Sequence, residues 1–488
     1  MDTDKQTIVF ERRDVRCAAL GAAALALIQV AGSLLQQSVF PVVVQIQPLI
    51  REFQSLMGLA FALFLVLACM RRPSLLSMTH LSLAALAGLI FAAMLLMLMP
   101  DNTLAMGLGC ALQAMAGIWA SCLCGMVLGR IGSRRVLSCA IAAGLVGGIA
   151  LPALFSPVDY SIGTLAMVAS EILAIALLAH TAAPLVHDIA SGQASRDLAL
   201  ANPRSFLGPT HQVFVLAFAF ALAEQLSVAL CHDMGLAADG LLTLAITAAF
   251  GIWFILARSE APREDALFNA ASLLVLGGMV LAVLDQCSPG ELSHGLLSAG
   301  NQCYLILGWL VVARLCERNP SGSLYAVSVQ LAAQTLGVLA GATAGHACST
   351  LSVTDPHTAG LLVAALLLCY VAYVQIGLRG FSFSSAIAGL EPAVAVAEPA
   401  CAPSRDEALA AACARLAAEH ALTAREADVV ALLCRGYSGK RIQDELSLGY
   451  NTVKTHAKHA YRKLAIHSQQ ELIDLAEKVA EASRESTD

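Results

Sequence analysis

The chain has 488 residues, is 58% hydrophobic and only 13% charged, against roughly 25% charged in an ordinary soluble protein. A single soluble globule is excluded, because from Cys17 to Leu378 the charges sit in short clusters between long apolar runs, whereas Ser404 to Asp488 has soluble composition. The net charge of −6 decides little, since its distribution matters more than its sum.

Residues 1–16 are too polar for the apolar region of a signal peptide, so they read as a cytoplasmic tail and the first helix as the insertion signal. A membrane-spanning helix needs about 20 mostly apolar residues. Twelve runs qualify, at about 17–39, 53–70, 75–99, 104–128, 136–155, 162–183, 212–231, 240–257, 266–284, 295–313, 325–347 and 358–378. The membrane domain is therefore expected over 17–380. With the N-terminus inside, 16 basic residues fall in inner segments, from Lys5, Arg12, Arg13 and Arg16 through Arg196, Arg204 and Arg258 to Arg379. The outer segments hold one, Arg51, and instead carry Asp101, Asp159, Asp239, Asp285 and Asp355. This positive-inside pattern predicts a multi-pass protein of a bacterial cytoplasmic membrane with both termini in the cytoplasm.

The longest inner connection, about Pro184 to Gln212, divides the spans into two six-helix halves. After the fourth span, Gly125-Met-Val-Leu-Gly129-Arg130-Ile-Gly132-Ser-Arg134-Arg135 resembles the cytoplasmic Gly/Arg loop of the major facilitator superfamily. That family's usual copy follows the second span, where Met70-Arg71-Arg72-Pro73 lacks the glycines and the acid. The resemblance implies a transporter-like bundle with a binding site between its halves.

Glu171 and Glu224 stand mid-span on the sixth and seventh helices. A charge at mid-bilayer costs about 2.5–3.5 kcal/mol on insertion scales, so such groups face the bundle interior. With Gln113, Asn301, Gln330 and Gln334 they form the candidate sensing cavity, the alternative being structural carboxyls and interhelical amides. Gly337, Gly341 and Gly345 make a small-residue stripe expected to pack within the chain. The 15 cysteines contain no C-x-x-C pair, and neither a Walker sequence nor a catalytic constellation occurs, so no metal, cofactor or enzymatic activity is expected.

Residues 381–404, with Glu391-Pro392 and Glu398-Pro399, read as an extended linker. A connector helix is expected over 405–420, capped by Ser404 and Glu407, with Leu409, Cys413, Leu416 and Ala417 on one face. That face would dock on the following domain or pair with a second chain. From 421 to 488 four helices are legible. Thr423 and Glu426 form a capping box, Gly436 ends the first helix, and Ser438 caps the second, which holds Ile442 and Leu446. Ser447-Leu448-Gly449 is the turn. The third helix, about 450–464, has Val453, Ala457, Ala460 and Leu464 on one stripe and Lys454, Lys458 and Arg462 on the other, with four Lys/Arg and no acid in all. A fourth helix follows Ser468.

This is a helix-turn-helix pattern whose third helix enters the major groove. Leu422-Thr423-x-Arg425-Glu426, Gly436-x-Ser438-x-Lys440-x-Ile442 and Thr452-Val453-Lys454-x-His456 with Lys463-Leu464 closely resemble the LuxR-type family over about 65 residues. The resemblance implies Lys454, Thr455 and Lys458 as base or phosphate contacts and dimeric binding to a two-fold DNA site. Lys440, Asn451, Thr452 and Arg462 complete the candidate DNA face. Gln443 and Ala465 replace the usual Ala and Gly, and Gln469 a frequent Arg; Ala465 is expected to strain its turn.

The fold class expected is all-α: a twelve-helix membrane bundle plus a four-helix DNA-binding domain. The function expected is a membrane-bound one-component transcription regulator, with double-stranded DNA, the bilayer, a small-molecule signal and a second copy as partners. The alternative is an active secondary transporter with a regulatory tail.

Overall fold

In the computed structural model every regular element among the described residues is helical. Described are residues 12–155, 158–192, 194–196, 206–233, 240–256, 263–284, 291–388, 412–446 and 448–485. Lys5, Arg204, Arg258, Asp239, Asp285, Glu391 to Glu407, Leu409 and Ser447 lie outside them.

The first span is longer than its apolar run. α1 (Arg12–Leu34) passes through a π turn, Leu35–Val39, into α2 (Phe40–Ile46). Pro41 cannot donate to the preceding turn and crowds it, and the ladder widens there so that Phe40 N–H reaches Leu35 O. The remaining spans are α3 (Ile50–Arg71), α4 (Met78–Leu98), α5 (Thr103–Leu128), α6 (Arg134–Phe155) and α7 (Tyr160–Ser191), then α8 (Gln212–Asp233), α9 (Gly240–Leu256), α10 (Arg263–Leu284), α11 (Glu291–Arg318), α12 (Ser323–Thr354) and α13 (Pro356–Ala372). Counting α1–α2 as one, all twelve expected spans are helices. Ten are long and apolar enough to cross a membrane; Gly240–Leu256 and His357–Ala372 are shorter apolar helices. A second π turn, Tyr373–Gly377, prolongs α13, and Gln212 Nε2 donates to its last carbonyl, Gly377 O, at 2.7 Å.

Large apolar side chains such as Leu63, Leu67, Leu83, Ile90, Leu165 and Leu361 point outward and are exposed. A bundle whose solvent is lipid shows this outer face, because hydrocarbon accepts apolar side chains while each helix satisfies its own backbone polar groups. Gly337, Gly341 and Gly345 of α12 lie on α8, where a Cβ would fall 2.3 Å from Phe218 O, 2.4 Å from Leu222 O and 2.6 Å from Ala229 Cβ. The stripe therefore packs within the chain, as expected.

Further boundaries differ from those expected. α7 continues through Pro184 to Ser191, so the connection between the halves begins at Gly192 and not at Pro184. Arg51, expected as an outer-loop exception, sits inside α3, buried, with its guanidinium 5.4 Å from the Phe40 ring centroid.

At the basic end of the bundle the Gly/Arg loop is a hub. Ser133 N–H donates to Asp14 Oδ2 (3.1 Å), Arg130 to Thr181 O (3.1 Å), and Arg314 to Gly132 O (3.3 Å). Arg134 pairs with Glu264, joining α6 of one half to α10 of the other. Gly129 and Gly125 are also crossing points. A Cβ on Gly129 would lie 2.3 Å from Cys316 Cβ on α11, and one on Gly125 2.7 Å from Val327 Cγ2 on α12.

Residues 381–388, expected as the start of a linker, instead belong to the bundle. α14 (Phe383–Ala388) is fastened to α10 by Asp265, which accepts from Phe383 N (2.6 Å), Ser382 Oγ (2.8 Å) and Ser384 Oγ (2.8 Å). The Phe383 ring is fully buried among Phe268, Tyr304 and Phe381. Six residues are too few to show a period, and the sequence signal was only the pair of phenylalanines.

The second core holds α15 (412–419), α16 (Ala424–Cys434), α17 (Gly439–Leu446), α18 (Tyr450–Leu464) and α19 (Gln469–Glu485). Cys413 and Leu416 of α15 are buried in it, in the same core as Val429, Leu433 and Leu464. The described part of the connector helix thus docks on the DNA-binding domain of its own chain.

Candidate DNA-binding face and polar groups of the bundle

Local chemistry builds the helix-turn-helix. Thr423 Oγ1 accepts from Glu426 N, and Glu426 Oε2 accepts from Thr423 N at 2.8 Å, closing the capping box. Glu426 is buried and accepts from Lys463 Nζ at 2.6 Å. Lys463 first, then the Thr423 amide, hold this carboxyl down at about 2. Lys463 also donates to Ala421 O at 3.1 Å. One of the four cations of α18 is therefore a strut inside the domain, which leaves Lys454, Lys458 and Arg462, the three expected on the candidate DNA face.

Gly436 takes φ +77° after α16, with its N–H on Leu433 O and that of Tyr437 on Leu432 O. Ser438 Oγ accepts from Arg441 N, starting α17, and Ile442 is buried. In α18, Val453, Ala457, Ala460, Tyr461 and Leu464 are buried. Asn451, Thr452, Lys454, Thr455, Lys458 and Arg462 are exposed, as is Lys440 on α17. All seven candidate DNA residues thus present themselves to solvent, with the three cations Lys454, Lys458 and Arg462 one turn apart. Thr455 donates to Asn451 O at 2.8 Å.

Ala465 ends α18 at φ +55°, ψ +36°, the left-handed region that costs an L-residue roughly 1–2 kcal/mol. The strain expected from the missing glycine is present. Gln469 is buried and donates to Leu433 O at 2.7 Å, a second donor beside the Gly436 amide on this carbonyl at the end of α16. Ser468 caps α19 by accepting from Glu471 N, while Glu471 accepts from His467 N.

Tyr450, the first residue of α18, donates its hydroxyl to Arg196 O, and the Arg196 guanidinium lies 4.9 Å from the centre of its ring. Arg196 belongs to the connection between the two halves of the bundle.

Within the bundle the candidate polar residues form separate groups. Gln113 Nε2 donates to Glu171 Oε1 (2.6 Å), and Gln54 Nε2 donates to Gln113 Oε1 (2.9 Å), linking α3, α5 and α7. Glu224 accepts from Ser298 Oγ (3.0 Å) and from Asn301 Nδ2, linking α8 and α11. Ser227 and His294 extend that seam, Oγ to Nδ1 at 3.1 Å. Gln330 and Gln334 instead line a small cleft between α11 and α12 with Leu305, Trp309 and Val327. No hydrogen bond among the described residues joins the Glu171 set to the Glu224 set. Gln54, Ser227, His294 and Ser298 are members that the sequence pattern did not single out. His294, Ser298 and Asn301 recur at helical spacing on α11, a signal that was available.

Residues 420–476 match the family described as bacterial regulatory proteins, luxR family. Curated relatives include the HTH-type transcriptional regulator MalT of Yersinia pestis (strain Pestoides F) and of Yersinia pseudotuberculosis serotype O:1b (strain IP 31758). Each is 38% identical over 58 residues, which is 12% of this chain and 6% of the relative. The chain thus spans only 6% of the length of these relatives. Among solved structures, the human organic anion transporter MFSD10 (TETRAN) covers 73% of this chain and 99% of its own, with 13% identity and a TM-score of 0.48. The E. coli fucose:proton symporter FucP covers 75% and 99%, with 14% identity and a TM-score of 0.43. Residues 420–476 are a LuxR-type helix-turn-helix domain, a DNA-binding module of transcription regulation, carried here on a multi-pass helical membrane bundle.

Proposed function

We propose that the protein is a membrane-bound one-component transcription regulator, in which the state of the helical bundle sets promoter binding by the attached domain. The observation that carries this reading is the attachment. The segment leading to the DNA-binding domain begins at α14, which Asp265 and Phe383 fix to α10 and α11. Movement of those helices moves the tether. Arg196 on Tyr450 adds a second contact between bundle and domain, at the end of α18 that a helix-turn-helix directs toward base edges. The LuxR-type resemblance supports binding as a homodimer to a two-fold site.

The charge bias supports a bacterial cytoplasmic membrane with both termini inside. Reporters fused after Asp101 or Asp159 should read as external, and those after Arg72, Arg135 or Arg379 as internal. An internal reading at Asp101 would end this arrangement.

The input is proposed to be a small molecule acting at the buried polar groups, above all the Glu224 seam. A ligand shifts output only if it binds two states unequally. Glu224→Gln is expected to change target transcript levels by about fivefold or more, the usual range of coupling between sites, while membrane insertion stays intact. Transcript profiling of wild-type and variant cells checks this. Unaltered transcripts in both Glu171→Gln and Glu224→Gln would make the carboxyls structural. Substrate uptake by vesicles that disappears with Glu224→Gln would move the protein to the transporter reading.

A further inference from the structure

Two neighbouring carboxylates in the first turn of α10 hold two different parts of the molecule. Glu264, buried, pairs with Arg134 at the start of α6, across the boundary between the halves. Asp265 spends both its oxygens on the tether: Oδ1 accepts from the Phe383 amide, and Oδ2 from the hydroxyls of Ser382 and Ser384. Ser382 Oγ in turn accepts from Ser385 N at 3.2 Å, so the same cluster starts α14.

A second, apolar path meets the clasp from the bundle interior. The Phe383 ring lies 5.2 Å from Phe268, one turn along α10 from Asp265, and 6.3 Å from Tyr304. Tyr304 stacks on Phe220 at 4.6 Å. These two residues stand one turn from Asn301 and Glu224 respectively, the pair that ties α11 to α8. The tether is therefore seated where the seam between α8 and α11 meets the start of α10.

We propose that the first turn of α10 is the coupling element between bundle and tether: Glu264 registers closure of the two halves through Arg134, and Asp265 passes that state to α14. Adjacent residues of one helical turn cannot move independently, because their Cα atoms are fixed 3.8 Å apart. Three charge-assisted bonds of 2.6–2.8 Å converge on one carboxylate, and an ångström of displacement exceeds what they tolerate. When α6 leaves α10, the first turn shifts and α14 is released. The inference deepens the regulator reading and rests on it for the consequence at DNA.

The test uses the full chain in lipid nanodiscs, with hydrogen–deuterium exchange of the amides of residues 383–388 as readout. Arg134→Ala alters a residue on α6, far in sequence from the tether and bonded to Glu264. It is expected to speed exchange at 383–388 by about tenfold or more, as local opening of a docked segment does. Glu264→Gln, which keeps the side chain's size, is expected to do the same and covers the case in which Arg134→Ala fails to insert. Asp265→Asn sets the fully released value. Wild-type exchange at 383–388 in Arg134→Ala or Glu264→Gln, with Asp265→Asn accelerated, overturns the coupling; so does wild-type exchange in Asp265→Asn. Binding of duplex DNA by the same samples separates the two claims. Exchange that responds while DNA binding stays constant leaves the coupling standing and sinks the regulator reading.

Discussion

The full chain carrying both Lys454→Ala and Lys458→Ala is expected to bind its promoter DNA at least about 30-fold more weakly than wild type, taking 1 kcal/mol for each lysine removed as the lower bound. Both side chains are exposed on α18, one turn apart, on the face opposite the buried Val453–Ala457–Leu464 stripe. If both meet phosphates, the salt dependence also flattens, by about 0.9 in the log–log slope for each phosphate no longer neutralised. If either reads a base, the weakening concentrates at one position of the site. Lys463→Ala provides the contrast. Its ammonium is committed to Glu426 and Ala421 O, so its removal leaves a buried carboxylate without its lysine partner, held only by the Thr423 amide and the nearby His459, and lowers the domain's melting temperature. Fluorescence anisotropy over a salt series, beside thermal melting, distinguishes the two. Wild-type affinity of the double variant at every salt concentration would exclude α18 as the reading helix.

The difference between Lys458 and Lys463 shows what a sequence can and cannot say. Caps, turns and helical faces are local, and so the five signals around Thr423, Gly436, Ser438, Val453 and Ser468 were legible at once. Which cation of α18 turns inward depends on Glu426, 37 positions earlier, and on the angle at which two helices cross. The Gln469 bond to Leu433 O, at a separation of 36, is of the same kind. In the bundle, hydropathy marked the spans because lipid imposes length and polarity on every one of them. Their ends were less legible. α7 keeps its helix through Pro184, and α14 is a single short helix whose reason for existing is Asp265, 118 residues away. The carboxyls Glu171 and Glu224 stood out by composition, yet their partners Gln113 and Asn301 lie 58 and 77 positions distant, and nothing in the sequence assigned each amide to its acid.

Gly129→Leu is expected to act on the bundle as a wedge. Gly129 has φ −64°, an ordinary value, so no backbone conformation demands glycine there. Space does: the first side-chain carbon would meet Cys316 Cβ at 2.3 Å and Ala313 O at 3.2 Å on α11. α5 and α11 belong to different halves, and Gly129 stands five positions before Arg134, whose guanidinium pairs with Glu264 of α10. Overpacking costs roughly 1–3 kcal/mol, which moves an equilibrium between closed and open arrangements by about five- to 150-fold. If the bundle governs the domain, the variant should lock transcript output at one level irrespective of growth condition. Gly147→Leu on α6 is the control, because no heavy atom lies within 4 Å of the position a Cβ would take there. It adds the same apolar bulk to a span at a position where the first side-chain carbon meets open space, and its output should follow wild type. Quantitative reverse transcription of target genes, normalised to the amount of protein inserted in the membrane, checks both variants. A Gly129→Leu protein that inserts normally and responds like wild type would mean that the two halves do not change their packing at this end. The search for the moving part would then shift to the connection around Arg196, whose contact with Tyr450 reaches the DNA-binding domain without passing through the tether.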